Sequence, residues 1–257
     1  MFLDTQRVAD FQRDGYILME NLFDAEEVAA MIQAVEEGDR VANTIHAPTD
    51  TSGRQSRLAI WFELGEDIWG AASTHPPLVN AVRILLGEEI AFYHGKVMLK
   101  EAHTGGAWEW HQDYGYWYGQ FFFPNLLSVF VALDPATREN GCLQVLRGSH
   151  RLGRLDHGRV GTQTGADPSR IVQIESLFER VHCEMSPGSA LFFHSNLLHS
   201  SAPNDSDYDR RAFITCYNAL ANPQLKEGNA STYLPCPVSG KDAIRQFAKR
   251  ETASVKR

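Results

Sequence analysis

The sequence contains no apolar run approaching the length needed to span a bilayer, so a transmembrane helix is not expected. Its 257 residues include four cysteines, Cys142, Cys183, Cys216 and Cys236, far apart and without a C-x-x-C pair. That spacing fits neither a zinc site nor a disulfide framework, and points to reduced, mostly buried thiols. Positive charge is scarce: 24 Lys and Arg against 32 Asp and Glu leave a formal charge of −8. Such a balance argues against a general binder of nucleic acid or anionic membrane, and mildly against a heavily phosphorylated substrate. The opening stretch MFLDTQRVADFQRDG is charged throughout and lacks the apolar core of a signal peptide. The closing Val255-Lys256-Arg257 is not a peroxisomal address. The expectation is a cytoplasmic protein whose partner is a small molecule. Oligomeric state is not legible.

Apolar residues make up 43% of the chain, enough to build a real core, and the length suits one large domain. The first 88 residues read as a helix-rich support. An apolar stripe around Val8 and Phe11 stops at Gly15, a short strand follows at 16–19, and Asp24 with Glu27 forms a capping pattern that starts a helix through Val28, Met31, Ile32 and Val35. Residues 43–55, rich in Thr, Ser, Asp and Gly, read as a mobile loop and a possible lid. Pro76-Pro77 can open a helix over 78–86 that closes at Gly87. From 89 to 220 the character changes to strands, predicted at 90–99, 126–133, 142–146, 190–193 and 212–220. Residues 221–257 form a C-terminal extension, with a fraying helix expected over 241–257. Helices first and strands after predict a mainly β fold with flanking α-helices: an antiparallel jelly roll, the double-stranded β-helix of cupin-like proteins.

Chemistry concentrates in two places. His111-Gln112-Asp113 lies among Trp108, Trp110, Tyr114, Tyr116, Trp117 and Tyr118. In extended chain, residues i and i+2 share a side, so His111 and Asp113 converge while Gln112 points away. An H-x-D triplet alone is common by chance; the aromatic surroundings suit a small-molecule pocket. The second place is the run from Gly188 to Ser201, which offers His194 and His199 as rival partners, followed by Arg210 and Arg211. His150 reads as structural. Two imidazoles and a carboxylate can hold one face of a divalent iron and leave the other open, and an arginine fork suits a carboxylate-bearing cosubstrate. Those residue types suggest an oxygenase. On the strand 126–133, Ser128, Phe130 and Ala132 share a mixed face suited to a cavity wall; Leu127, Val129, Val131 and Leu133 form an aliphatic face suited to a core.

The run Glu139-Asn140-Gly141-Cys142-Leu143-Gln144-Val145-Leu146-Arg147-Gly148-Ser149-His150 resembles the strand-turn signature of the phytanoyl-CoA dioxygenase family. So do Phe11-Gln12-Arg13-Asp14-Gly15-Tyr16, the His111/Asp113 pair, and Phe193-His194 followed by His199-Ser200-Ser201 and Arg210, all in order over almost the whole chain. That family depends on iron(II) and 2-oxoglutarate. The resemblance implies iron ligands His111, Asp113 and His199, leaving His194 as a neighbour. It further implies Arg210 and Ser201 for the distal carboxylate of 2-oxoglutarate, with Phe130 beside it. Only family spacing separates Arg210 from Arg211.

The implied activity is dioxygenation of an unactivated C–H with O2, giving succinate and CO2. Because Asp113 is present where halogenases of this broad fold lack a carboxylate, hydroxylation or a related oxidation is expected rather than halogenation. Phytanoyl-CoA itself fits poorly with an acidic chain that lacks an evident basic cluster. Trp117 lies at the spacing of a tryptophan in ectoine-hydroxylase-like members, and aromatic faces attract cations. The substrate expected is a small amine, amino acid, quaternary ammonium compound or, using Lys96 or Lys100, an aminophosphonate. Gln112, Trp117, His94 and Met98 are the candidate contacts; Trp117 could instead pack the sheet, and Gln112 could instead orient a loop. The alternatives are a non-catalytic metal- or ligand-binding relative and a cupin-type enzyme using another metal.

Overall fold

The computed structural model describes residues 3–226 and 230–255. Helix α1 (Thr5–Asp14) is capped by Asp4, whose side chain accepts from the Arg7 amide. It ends at Gly15, where φ is 82° and a Cβ would collide with the His150 ring. Strand β1 (Tyr16–Met19) follows, then α2 (Ala25–Glu37), opened by the reciprocal Asp24–Glu27 capping box that the sequence predicts. After α3 (Asp39–Thr44) come β2 (Ile45–His46), β3 (Arg57–Trp61), α4 (Ile68–Ser73) and α5 (Pro76–Leu86), the last closing at Gly87 with φ 75°.

The strand-rich part runs through β4 (Ile90–Lys100), β5 (Trp108–His111), the short helix α6 (Asp113–Trp117), β6 (Leu126–Ala132) and β7 (Leu143–Leu146). It continues with β8 (His157–Val160), β9 (Gln163–Ala166), α7 (Pro168–Glu175), β10 (Arg180–Cys183), β11 (Ala190–His194), β12 (His199–Ser201) and β13 (Arg210–Ala219). Helix α8 (Ala243–Val255) falls inside the span expected for the terminal helix, whose last two residues lie outside the described chain.

Seven strands form one sheet in the order β1-β11-β6-β13-β4-β3-β2, and four form a second in the order β10-β7-β12-β5; their pairings are antiparallel. The fold is the expected jelly roll. One face of the large sheet (Val97, Val129, Val131, Phe192, Phe213, Tyr217) is buried with Met31, Trp69, Leu78, Val79 and Val82 from the helices. The other face (Met98, Phe130, Leu191, Phe193, Ala212, Ile214) packs toward the small sheet with Leu143 and Val145. Strand β6 divides as its alternation predicts, with its aliphatic side toward the helices.

Two expectations change. The helix-rich first 88 residues also supply β1, β2 and β3 to the large sheet. Arg57–Trp61 is hard to read from the sequence because RLAIW is short and does not alternate polar with apolar residues. The loop expected to be mobile over 43–55 is pinned. Asp50 accepts from the amides of Ser52 and Arg54 and, through its other oxygen, from Ala107 at 2.7 Å, while Thr49 bonds Thr162. Its Ser, Thr and Asp side chains are fastening the loop rather than solvating it.

Candidate metal centre

His111 ends β5 and His199 begins β12, and the two are cross-strand partners in the small sheet. This register sets their rings 4.0 Å apart, centroid to centroid. Gln112 remains extended (φ −112°, ψ 135°), and Asp113 then opens α6 rather than continuing the strand. One extended residue suffices to turn the carboxylate toward the imidazoles. The potential ligand atoms of His111, Asp113 and His199 lie within 4.8 Å of one another, and all three residues are buried.

Backbone carbonyls orient both rings. Nδ1 of His111 donates to the Glu109 carbonyl at 2.7 Å, and Nδ1 of His199 to the Leu197 carbonyl at 3.0 Å. Each ring therefore keeps an Nε2 lone pair, the state a ligating histidine needs. Burial pushes both imidazole pKa values down, so both are neutral at neutral pH. Burial opposes ionisation of Asp113, yet Lys96 above all, with a hydrogen bond from Ser128, overcomes it and holds the carboxyl at about 2. The Ser128 hydroxyl donates to Oδ2 at 2.5 Å, and Oδ1 lies 3.9 Å from both His199 Nε2 and Lys96 Nζ. Two neutral imidazoles and one ionised carboxylate make a donor set that fits a divalent iron.

The two histidines open onto a cavity whose wall also includes Leu58, Lys96, Met98, Phe130, Ser201 and Arg210. Arg210 is 2% exposed, its guanidinium carbon lies 5.6 Å from the Phe130 ring centroid, and its Nε has no hydrogen-bond partner. Burial lowers its pKa to about 10, which leaves it charged. A buried cation with an open donor suits an arriving carboxylate. Arg211, the rival, turns to the opposite face and is occupied by Asp134 and Glu36.

A model of the phytanoyl-CoA dioxygenase (PhyH) family matches residues 11–212. The chain belongs to this family. It is 29% identical over 239 residues to an ectoine dioxygenase from Bordetella bronchiseptica, covering 86% of this chain and 77% of that protein. With the L-proline trans-4-hydroxylase of Streptomyces griseoviridis it shares 32% over 164 residues, 57% of this chain and 61% of that enzyme. Among solved structures, EctD from S. alaskensis with bound Fe superposes with a TM-score of 0.75, at 24% identity, over 92% of this chain and 87% of that one. That likeness carries the fold.

Other expected contacts separate from the cavity. Gln112 is fully buried and its amide is spent on backbone: Nε2 donates to Gly153 and Asn196, and Oε1 accepts from Leu155. It orients loops instead of facing a ligand. Trp117 is 6% exposed and packs edge-on against Tyr93 and His94, outside the cavity wall. His94 is likewise buried, between Phe62 and Trp117, and only Met98 of the four candidate substrate contacts lines the cavity. His194 accepts from the Asn196 amide and stacks near His150, away from the triad.

Two residues carry more than the sequence reading gave them. Ser128 orients the carboxylate, a role signalled only by its place on the mixed face of β6. Lys100 is fully buried, pairs across strands with Arg210, and donates to the Ser201 hydroxyl at 2.7 Å and to the Ala202 carbonyl. The alternation Lys96-Met98-Lys100 along β4 was the available signal.

Proposed function

We propose that this chain oxidises a small polar molecule at an unactivated C–H, with His111, Asp113 and His199 as the iron ligands. It is an iron(II)- and 2-oxoglutarate-dependent dioxygenase. The mutual arrangement of those three side chains, with a buried, open-handed arginine in the same cavity, is the observation that carries the reading. Iron(II) with 2-oxoglutarate supplies oxidation by O2 in which one oxygen atom leaves in succinate, beside CO2, and the other becomes the product hydroxyl.

The protein's part is positioning. The carbonyls of Glu109 and Leu197 hold both imidazoles in the ligating tautomer, and Ser128 fixes the carboxylate plane. Arg210 would pair with the distal carboxylate of 2-oxoglutarate, with the Ser201 hydroxyl and the Phe130 ring beside it. Met98, Leu143, Phe193 and Ile214 keep the wall apolar and exclude water from the reacting C–H. The carboxylate at Asp113 favours hydroxylation over halide transfer. An amine, amino acid, quaternary ammonium compound or aminophosphonate remains the proposed substrate range, supported by relatives named for ectoine and L-proline.

The test is an anaerobic absorbance titration of the protein with ferrous iron and 2-oxoglutarate. A visible metal-to-ligand charge-transfer band is expected, and Arg210→Ala should weaken 2-oxoglutarate binding by about ten- to a hundredfold, the worth of a charge-assisted hydrogen bond. A folded, iron-loaded protein without a band would instead favour a ligand sensor or a cupin using another metal.

A further inference from the structure

Lys96 lies on the cavity wall with its side chain 17% exposed, and the acid nearest it is Asp113, Nζ to Oδ1 3.9 Å. Among the described residues no second carboxylate lies within ion-pair distance of it. This contact explains the lysine only while Asp113 has nothing else to neutralise. If the proposed function holds, the two charges of ferrous ion are met by Asp113 and one carboxylate of 2-oxoglutarate, and Arg210 meets the other carboxylate. Lys96 is then a cation without an anion, set beside a divalent ion in a largely apolar cavity. Such an arrangement is costly unless a negative group arrives to share it.

The cation cage expected around Trp117 is not built in this cavity. A cage for a simple cation needs ring faces turned to the ligand. Trp117 offers none to the cavity, since its ring is packed against Tyr93 and His94. The charged side chains on the wall, apart from the triad, are Lys96 and Arg210, both positive.

We infer that the substrate carries an anionic group, a carboxylate or a phosphonate, and that Lys96 Nζ pairs with it and selects for it. The inference rests on the iron and 2-oxoglutarate reading and narrows its substrate range. Amino acids, betaines and aminophosphonates stay; simple amines and quaternary ammonium ions without an acid leave. Lys96 thereby holds the substrate from its acidic end, opposite in charge to the cage expected from the sequence.

The experiment uses full-length protein loaded anaerobically with ferrous iron and 2-oxoglutarate, its charge-transfer band read as matched compounds are added. The pairs differ in the acid alone: L-proline with pyrrolidine, glycine betaine with tetramethylammonium, and 2-aminoethylphosphonate with ethylamine. In at least one pair the acid-bearing member should perturb the band at lower concentration, and the pair that responds tells carboxylate from phosphonate. Lys96→Met should weaken that compound by about ten- to a hundredfold and erase the preference, whereas Lys96→Arg should keep it. The band itself reports whether either variant retains a folded site. A preference that survives in Lys96→Met, an acid-free member that binds as well, or no response to any acid-bearing compound overturns the inference while the wild-type band stands. Absence of the wild-type band removes the cofactor reading, and this inference with it.

Discussion

Strands β4, β6 and β13 each present two unlike faces. Toward the helices, Val97, Val129, Val131, Phe213 and Tyr217 are closely packed, and the Tyr217 hydroxyl is satisfied by the Ser73 carbonyl. Toward the small sheet, the same strands place Lys96, Lys100, Ser128 and Arg210 among Met98, Phe130 and Ile214. Burying apolar side chains on the first face stabilises the fold; burying cations on the second costs free energy. The period of two in a β-strand lets one stretch of chain do both. Stability and chemistry therefore reside on opposite sides of one sheet, and substitutions should separate them.

The largest expected effect is on the chemical side. Asp113→Ala should abolish substrate-dependent succinate formation and strip iron from the purified protein. Its thermal stability should fall modestly, since Lys96 and Ser128 lose the carboxylate they hold ionised. The matched change on the helix side is Phe192→Ala, at a fully buried aromatic on β11. It should cost about 3–5 kcal/mol in denaturant unfolding while the folded fraction still forms the charge-transfer band. If Asp113→Ala unfolds the protein, or Phe192→Ala spares stability and loses the band, the division between faces is wrong.

Acid should act in part through histidines outside the metal centre. His75 sits over Phe23 beside Glu27, 3.7 Å away; burial, with Arg245 adding and Asp24 opposing, lowers its pKa from 6.5 to about 4. His194, next to His150, is lowered to about 4 by burial as well. Both are neutral in the folded protein and protonate more readily when it unfolds. Their stabilising contribution is thus complete above about pH 6.5 and is lost as pH falls toward about 4. Each accounts for on the order of 2–3 kcal/mol across that window. Melting temperature against pH in iron-free protein checks this, with His75→Gln expected to flatten the slope; an unchanged slope removes His75 from the account.

The helix side was readable because its signals are local. Asp24 and Glu27 cap α2 from three residues apart, Gly15 and Gly87 close helices with positive φ, and alternation in β6 names its core face. The triad was found because H-x-D is compact and the family resemblance chose His199 over His194. What failed depends on packing between distant segments. Trp117 could be placed six residues after His111 by counting, but only the strand carrying Tyr93 and His94 decides which way its ring faces. Gln112 looked like a ligand contact until Gly153, Leu155 and Asn196 claimed its amide. The loop at 43–55 is polar for the same reason a mobile loop is polar, and only Ala107, more than fifty positions on, reveals that Asp50 is a fastener.

Lys100 offers the finest test of the two-faced sheet, because its two contributions have opposite signs. The fold buries this amine entirely, across from Arg210 and without a carboxylate in ion-pair distance among the described residues, and burial pushes its pKa well below the lysine range. Its donors go to Ser201 and Ala202. Removing the amine relieves desolvation and repulsion from Arg210, so Lys100→Met, near in volume, should leave the iron-free protein as stable or more so. It should also free the Ser201 hydroxyl to rotate and take positive potential from the Arg210 end of the cavity. 2-Oxoglutarate affinity, read from the charge-transfer band, should then fall by about tenfold, or about 1.4 kcal/mol. Stability rising while binding falls would mark Lys100 as kept for the cosubstrate. If both fall together, the lysine is a structural tie between β4 and β12, and the chemical face carries part of the fold after all.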